Sequence, residues 1–297
     1  MGDSSDADRI DAAASDLRAA DTALALTGAG VSAPSGVPPF RGEEGIWSEY
    51  DPDAFDVWRF RREPGEFWTD WLDLREDLLD ADIEPNAAHD ALASLSAAGH
   101  LDALVTQNID GLHGAAADAL ADLQQDARAD RGDAPRAVSG ESGEIVELHG
   151  NARRAVCRNC GWTTSADDAR EQAASGDLPP NCEVCDGALK PDAVLFGEQL
   201  PRGALATARE LAADSDVFLV AGSSLTVEPA ASLPAEAAES GATLILVNLE
   251  ETPLDARADY VFREDVTEVL PALREAVGEE KLPESRPPSR SCDHPPT

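Results

Sequence analysis

TGAGVSAPSGVPPFRG, Thr27 to Gly42, follows the apolar run Thr22 to Leu26, which reads as a buried strand of a parallel sheet. Gly28, Gly30 and Ala33 fall on the GxGxxG/A spacing of a dinucleotide-binding turn. There, missing side chains let backbone N–H groups approach a pyrophosphate at a helix N-terminus. The spacing alone is a weak signal, because glycine-rich turns follow many strands. Its continuation says more. A Rossmann unit would run on as an uninterrupted helix, but Pro34, Ser35, Gly36, Val37, Pro38 and Pro39 break it within about two turns. The chain leaves as a loop and carries an aromatic ring and a fixed cation, Phe40 and Arg41, to the mouth of the same site.

Composition narrows the partners. Across 297 residues, 23 Lys and Arg stand against 58 Asp and Glu, a net charge of −35 with pI near 4.2. Such a field repels nucleic acid and anionic membranes, so neither is expected as a partner. The acid is spread from end to end, and lysine occurs only at Lys190 and Lys281. An acidic, lysine-poor, alanine-rich surface suits a protein held soluble in concentrated salt, where screening relieves self-repulsion. We read the charge as adaptation to a saline cytoplasm. An acidic face for a basic partner would instead concentrate the charge in one block. The N-terminus does not read as a leader and no apolar run reaches about 18 residues, so a soluble, cytoplasmic protein is expected.

Along the chain, residues 6–20 read as a helix with Ile10, Ala13, Ala14 and Leu17 on one face. Phe67, Trp71, Leu74 and Leu78 recur at helical spacing, widened by Trp68, Leu72 and Leu79; this helix is either core or a pocket wall beside the Phe40 loop. Asn86 caps a further helix that Gly99 ends, and His89 on it reads as structural. Leu101 to Thr106 is a second buried strand, delivering Gln107, Asn108, Ile109 and Asp110 at its carboxyl end, where open parallel sheets hold ligands. Gly114 to Gly143 lacks aromatic residues and reads as an exposed insertion, mobile or loosely helical. Glu144 to Leu148 resumes as a strand, followed by His149.

Of five cysteines, Cys157/Cys160 and Cys182/Cys185 form two CxxC pairs 21 residues apart, and Cys292 lies in a Pro- and Ser-rich tail. Paired CxxC units at this spacing point to a zinc ribbon. Four thiolates close a tetrahedral site, so the zinc should be structural and His149 is not needed as a ligand. The module spans about Asn151 to Leu189. Ala193 to Phe196 then reads as a short strand ending in Gly197 and Glu198; Asp216 to Ala221 is a buried strand leading into Gly222, Ser223 and Ser224; a helix runs from Pro229 to Ser240. Thr243 to Val247 is a strand ending in Asn248 and Glu250, and a last helix opens at Asp265, with Glu268 completing a capping-box pattern and Val266, Val269, Leu270 and Leu273 inward.

In this order, GAGVSAPSGVPPFRG, TQNIDGLH (106–113), ELHG (147–150), the two CxxC pairs, FGE (196–198), GSSLTVEPA (222–230) and VNLE (247–250) make the chain resemble the sirtuins, NAD-dependent protein deacylases. The resemblance covers about Thr22 to Leu273, excepting the insertion. It implies an α/β fold: a Rossmann-like, doubly wound parallel-sheet domain (1–150 and 190–277) with an inserted small zinc-ribbon domain (151–189), followed by a disordered tail (278–297). Residue by residue, it implies that Gly28, Ala29, Gly30, Ser32, Phe40, Arg41 and Trp47 hold NAD and its leaving nicotinamide. Gln107, Asn108, Ile109 and Asp110 would line the nicotinamide and ribose pocket. Gly222, Ser223, Ser224, Asn248, Glu250 and Val266 would take the adenosine half. Val194, Leu195, Phe196 and Gly197 would pair, as a strand edge, with an extended peptide carrying an acylated lysine.

The catalytic residues the resemblance implies are His149 and Asn108. An amide oxygen is a poor nucleophile, so it needs a strong electrophile, which C1′ of the nicotinamide ribose becomes as the glycosidic bond loosens. His149 would be the general base that activates a ribose hydroxyl. The products are then free lysine, nicotinamide and O-acyl-ADP-ribose. Two rival classes are ADP-ribosyl transfer at the same NAD site, which has no use for the histidine base, and a non-enzymatic zinc-ribbon binding module, which the acidic balance disfavours. Sirtuins that prefer succinyl or malonyl groups have a Tyr and, three residues on, an Arg where this chain has Trp71 and Leu74; an uncharged short acyl group is expected here.

Overall fold

A computed structural model describes residues 6–40, 45–79, 83–130 and 143–278. Six parallel strands form the main sheet: β1 (Ala23–Thr27), β2 (Ala103–Thr106), β3 (Glu144–Glu147), β7 (Val217–Ala221), β8 (Thr243–Val247) and β9 (Tyr260–Phe262), in the order β3-β2-β1-β7-β8-β9. This is the 3-2-1-4-5-6 order of a doubly wound Rossmann sheet. The runs ALALT, VFLVA and TLILV are apolar because helices cover both faces. Alternation sends Ala25, Leu219, Ile245 and Val247 toward α1 (Asp6–Ala19), α5 (Ala87–Ala97) and α10 (Val266–Val277). Leu24, Leu26, Phe218, Val220 and Leu246 face α8 (Arg202–Asp214) and α9 (Leu233–Ser240). The order reverses beside β1, so the carboxyl ends of β1 and β7 flank the switch-point crevice where such sheets bind ligands.

A second unit packs beyond that crevice. β4 (Gly150–Cys157), β5 (Thr163–Ser165) and β6 (Leu189–Ala193) form an antiparallel sheet in the order β5-β4-β6, with α7 (Ala166–Ala174) against β4. Its core continues into α3 (Val57–Arg62) and α4 (Pro64–Leu78), where Phe60, Phe67, Trp68 and Trp71 pack in one cluster with Ala152, Ala155, Cys157 and Leu189. The Trp68 indole N–H donates to the Leu189 carbonyl at 2.8 Å. The aromatic stripe is therefore core, and it joins the cysteine-rich unit rather than the main sheet.

Several boundaries differ from those read in the sequence. The strand expected at Ala193 to Phe196 lies earlier, at Leu189–Ala193, because Lys190 and Pro191 pair with Val156 and Ala155 of β4. The cysteine-rich sheet accordingly extends from Gly150 to Ala193, past the 151–189 limits. Of the two readings for the segment from Gly114 on, mobile or loosely helical, the helical one holds as far as Asp130: it forms the body of α6 (Leu112–Asp130), which packs on α5, while buried Leu112 joins the aromatic cluster. Asp265 caps α10 by accepting from the Thr267 N–H at 2.8 Å and its hydroxyl at 2.6 Å, an Asx-type cap. The reading of 278–297 as disordered falls, beyond Gly278, outside the described residues, as do Arg41 and Cys292. No helix among the described residues is long and apolar enough to cross a membrane.

Candidate active site

The glycine turn after β1 is locked onto the end of β7. Gly28 N–H donates to Ala221 O at 3.1 Å and Gly30 N–H to Gly222 O at 2.8 Å. A Cβ on Gly28 would lie 2.8 Å from Gly222 O, and one on Gly30 would lie 2.8 Å from Gly222 Cα. Gly222 itself has φ +60, and its own Cβ would strike the backbone at Val31. These three glycines allow two strand ends to touch. The turn continues as α2 (Ala29–Ser32), four residues long, and Gly36 at φ 93 ends the short 3₁₀ turn that follows. Asn86, the cap of α5, ties this turn down by donating to Val31 O at 2.8 Å and Ser35 Oγ at 2.9 Å.

Behind the turn lies a buried polar network. Asn108, 5% exposed, donates both Nδ2 hydrogens, to Gly28 O at 3.1 Å and Ser32 Oγ at 3.0 Å, so Oδ1 is the atom it can present to a ligand. His89 Nδ1 accepts from the Asn86 N–H, which places its proton on Nε2, 3.3 Å from Ser32 Oγ. The Ser32 hydroxyl in turn bonds the Asp110 carboxylate. His113 contacts the His89 ring at 4.8 Å between centroids, and its Nε2 lies 2.8 Å from Thr27 Oγ1. Burial lowers the pKa of His89 to about 4 and that of His113 to about 3, so both are neutral near pH 7. Burial raises the pKa of Asp110, against the opposing pull of the Leu112 N–H, Ser32 and Arg153. His89 is structural, as its helix-cap position suggested. The histidine pair and its link to Ser32 left no signal in the sequence, because its members come from α2, α5 and α6.

His149 follows β3 and is half-buried. Its Nδ1 lies 2.9 Å from the carbonyl oxygen of Gln107; a carbonyl only accepts, so Nδ1 carries the proton and Nε2 the lone pair. The Gln107 side chain accepts from Ser223 Oγ at 2.7 Å, which joins the ends of β2 and β7 around the crevice. Among the residues expected to take the adenosine half, Asn248 donates to Glu250 O at 2.9 Å and Val266 is 5% exposed, while Ser224 and Glu250 stand exposed.

Facing this, Phe40, Trp47 and Phe196 form an aromatic wall: Phe40 and Trp47 stack at 6.0 Å, and Trp47 meets Phe196 edge-on at 5.2 Å. Ile109 packs partly buried against the same core. The Val194–Gly197 edge is less available than its sequence suggests. Val194 N–H donates to His149 O, Leu195 N–H to Glu198 Oε2 and Phe196 N–H to Phe55 O, while Phe196 O accepts from Val57. Leu195 is buried at 4% exposure, while Phe196 (41% exposed) and Gly197 are the exposed residues of that edge, and Gly197 is the one whose backbone groups are not in the bonds just described. Glu198 anchors this loop: it pairs with Lys190 at 3.1 Å, itself 6% exposed, and with Arg158 at 3.1 Å. Arg158 sits between Cys157 and Cys160, so the cysteine knuckle and the loop are joined by one carboxylate.

The Sγ atoms of Cys157, Cys160, Cys182 and Cys185 all lie within 4.8 Å of one another, with Cys157 to Cys185 at 3.5 Å and Cys160 to Cys182 at 3.6 Å. Tetrahedral Zn–S bonds near 2.3 Å set S···S edges of about 3.8 Å, so this cluster has the size and donor set of a structural zinc site.

The sequence pattern of the Sir2 family matches residues 28–123 and 133–229. The chain belongs to the Sir2 family. Among its relatives, an NAD-dependent protein deacetylase of Haloarcula marismortui is 52% identical over 92% of this chain and 96% of its own length. An NAD-dependent protein deacylase of Aeropyrum pernix is 42% identical over 86% of this chain and 92% of its own. Among solved structures, a Sir2 protein with deacetylated p53 peptide and 3'-O-acetyl ADP-ribose superposes with TM-score 0.73 at 33% identity, covering 90% of this chain and 98% of that one. A Sir2 protein bound to acetylated peptide gives TM-score 0.70 at 33% identity, over 88% of this chain and 96% of that one. The match of the family pattern breaks over 124–132, which includes the end of α6. NAD as co-substrate and a structural zinc agree with this membership and with the cysteine cluster.

Proposed function

We propose that this Sir2 family protein removes acetyl, or another short uncharged acyl group, from lysine side chains of proteins, with NAD as co-substrate, giving nicotinamide, O-acyl-ADP-ribose and free lysine. The observation that carries this reading is the fixed tautomer of His149 at the crevice between the two units. When bound, NAD supplies an electrophilic ribose carbon and accepts the acyl group. The residues of the chain do the rest. His149 Nε2 takes the proton of a ribose hydroxyl, because Nδ1–H is held by Gln107 O. Asn108, oriented through Gly28 O and Ser32, presents Oδ1 beside the same pocket, and Asp110 fixes the segment by accepting from Leu112 N–H at 2.8 Å. Phe40, Trp47 and Phe196 keep water from the reacting centre. Gly197 offers backbone groups to an extended substrate, and zinc holds the unit that carries them.

The names of the relatives support deacylation over ADP-ribosyl transfer, and the net charge of −35 argues against nucleic acid and anionic membranes as partners. A salt-rich cytoplasm is the setting this charge suits. Acyl choice follows from packing. Trp71 and Leu74 are 4% and 2% exposed, and Arg75 turns away to Asp167 at 3.2 Å, so no cation from α4 is offered to an acyl carboxylate. Mass spectrometry after incubation with NAD and an acetyl-lysine peptide tests the class. Loss of acetyl from the peptide with matching O-acetyl-ADP-ribose is expected; a peptide that gains ADP-ribose would move the protein to the transferase class.

A further inference from the structure

Helix α3 carries an exposed face at odds with the rest of the surface. Trp58 is 61% exposed, and the Arg61 guanidinium lies over its ring, 4.5 Å from the centroid. Trp58, Arg61 and Arg62 share one side of the helix at i, i+3 and i+4. Arg59 turns elsewhere, to Asp70 at 2.5 Å and Ala54 O at 2.9 Å. In a chain with 58 acids to 23 bases, an arginine readily finds a carboxylate, as Arg59, Arg75, Arg154, Arg158 and Arg263 do. Arg61 and Arg62 are exposed and in no ion pair among the described residues.

The helix that carries this face starts at the candidate substrate edge. The first residue of α3, Val57, donates to Phe196 O at 2.9 Å, and Phe196 N–H donates to Phe55 O at 3.1 Å. Residues 55–57 therefore occupy one edge of the Phe196–Gly197 loop and leave the other for a substrate. A chain on that other edge runs about two strand spacings, roughly 10 Å, from the start of α3. Arg61 and Arg62 lie four and five residues further along α3, about 6 to 7.5 Å, so the carboxylates they would meet belong to residues several positions from the acyl-lysine rather than next to it. We propose that Trp58, Arg61 and Arg62 form a secondary contact for acidic residues flanking the acyl-lysine, so that the preferred substrates are segments rich in Asp and Glu. Forked guanidinium–carboxylate pairs supply the selectivity, and the indole holds Arg61 extended. The local cation also offsets the repulsion that an acidic substrate meets from a surface of net charge −35.

The proposal rests on the deacylase reading, and its test separates the two. Two acetyl-lysine peptides, one flanked by Ala and Ser and one by Asp and Glu, are compared at the lowest KCl at which the protein stays folded. For the unaltered protein, kcat/KM should be about threefold to tenfold higher on the acidic peptide, chiefly through KM. In R61S/R62S the ratio should fall to about one, with turnover of the Ala/Ser peptide unchanged. W58A should reduce the ratio partway. Fluorescein-labelled copies of both peptides, read by anisotropy without NAD, report the same preference even if turnover fails, which would overturn only the deacylase reading. Equal affinities for the two peptides, or a preference untouched in R61S/R62S, would overturn the contact. So would a drop in molecular mass of W58A/R61S/R62S by sedimentation, which would assign the face to a second, acidic copy of this chain.

Discussion

His149 donates its Nδ1–H to the main-chain oxygen of Gln107 at 2.9 Å, and the same Gln107 holds Ser223 through its side chain. One residue thus fixes both the tautomer of the proposed base and the far lip of the crevice. His149→Ala should lower deacetylation by at least about 10²-fold, the scale of a lost general base, with the protein still folded and destabilised only by about the 1 kcal/mol of one lost hydrogen bond. Near-full activity in that variant would remove His149 from the mechanism.

The histidine pair behind Ser32 makes a prediction for acid. His89 and His113 have folded pKa values of about 4 and about 3, below the ordinary value of 6.5. The neutral forms belong to the fold, so their contribution is complete above the unfolded value and is lost as pH falls from 6.5 through 4 toward 3. Asp110, raised by burial, works in the opposite sense, adding stability at low pH that is lost as pH rises. H89Q/H113Q should flatten the fall in urea stability between pH 6.5 and 4, by on the order of a few kcal/mol, relative to the unaltered protein. Parallel curves for the two proteins would show that these rings do not titrate with unfolding.

Glu198 is held from two sides, by Lys190 and by Arg158 of the cysteine knuckle. Arg158→Met should raise the peptide KM roughly fivefold, the equivalent of about 1 kcal/mol for a partly exposed pair, and leave kcat and the KM for NAD unchanged. Zinc removal should do the same and more, since it loosens the knuckle that carries Arg158. A change in the NAD constants as large as that for peptide would mean the clamp is not specific to the substrate loop. Active protein should contain about one zinc per chain by elemental analysis.

Net charge sets the salt response. Repulsion among 35 excess negative charges is felt over about 30 Å at 0.01 M salt and about 3 Å at 1 M. Melting temperature should climb steeply with KCl, and a flat curve would give the acidity another purpose.

Acyl preference follows from α4. A succinyl carboxylate against buried Leu74 would be unpaired, at a cost of several kcal/mol even after relaxation. On one peptide sequence, kcat/KM for acetyl should exceed that for succinyl by at least about 10²-fold. Equal succinyl turnover would require Arg75 to leave Asp167 and reach the pocket.

The sequence by itself determined five of the six strands of the main sheet and where their carboxyl ends fall, because apolar runs such as VFLVA and TLILV have few other stable placements. It determined the zinc site, since thiolate pairs at CxxC spacing impose the ligand set, and it marked Asn86, Asn108 and His149 through local caps and strand ends. Short or locally ambiguous pieces escaped it. β9 has only three residues and is stabilised by β8 rather than by its own pattern. The segment that forms α6 reads as either mobile or loosely helical, and only its packing on α5 selects the helix. Which unit the aromatic helix joins, which amides of Val194–Phe196 are already bonded, and the paths from Ser32 to His113 and from Arg158 to Glu198 were decided by tertiary structure. Hydrogen bonds and ion pairs between residues far apart in sequence depend on which strand ends the fold brings together, and side-chain periodicity carries no record of that.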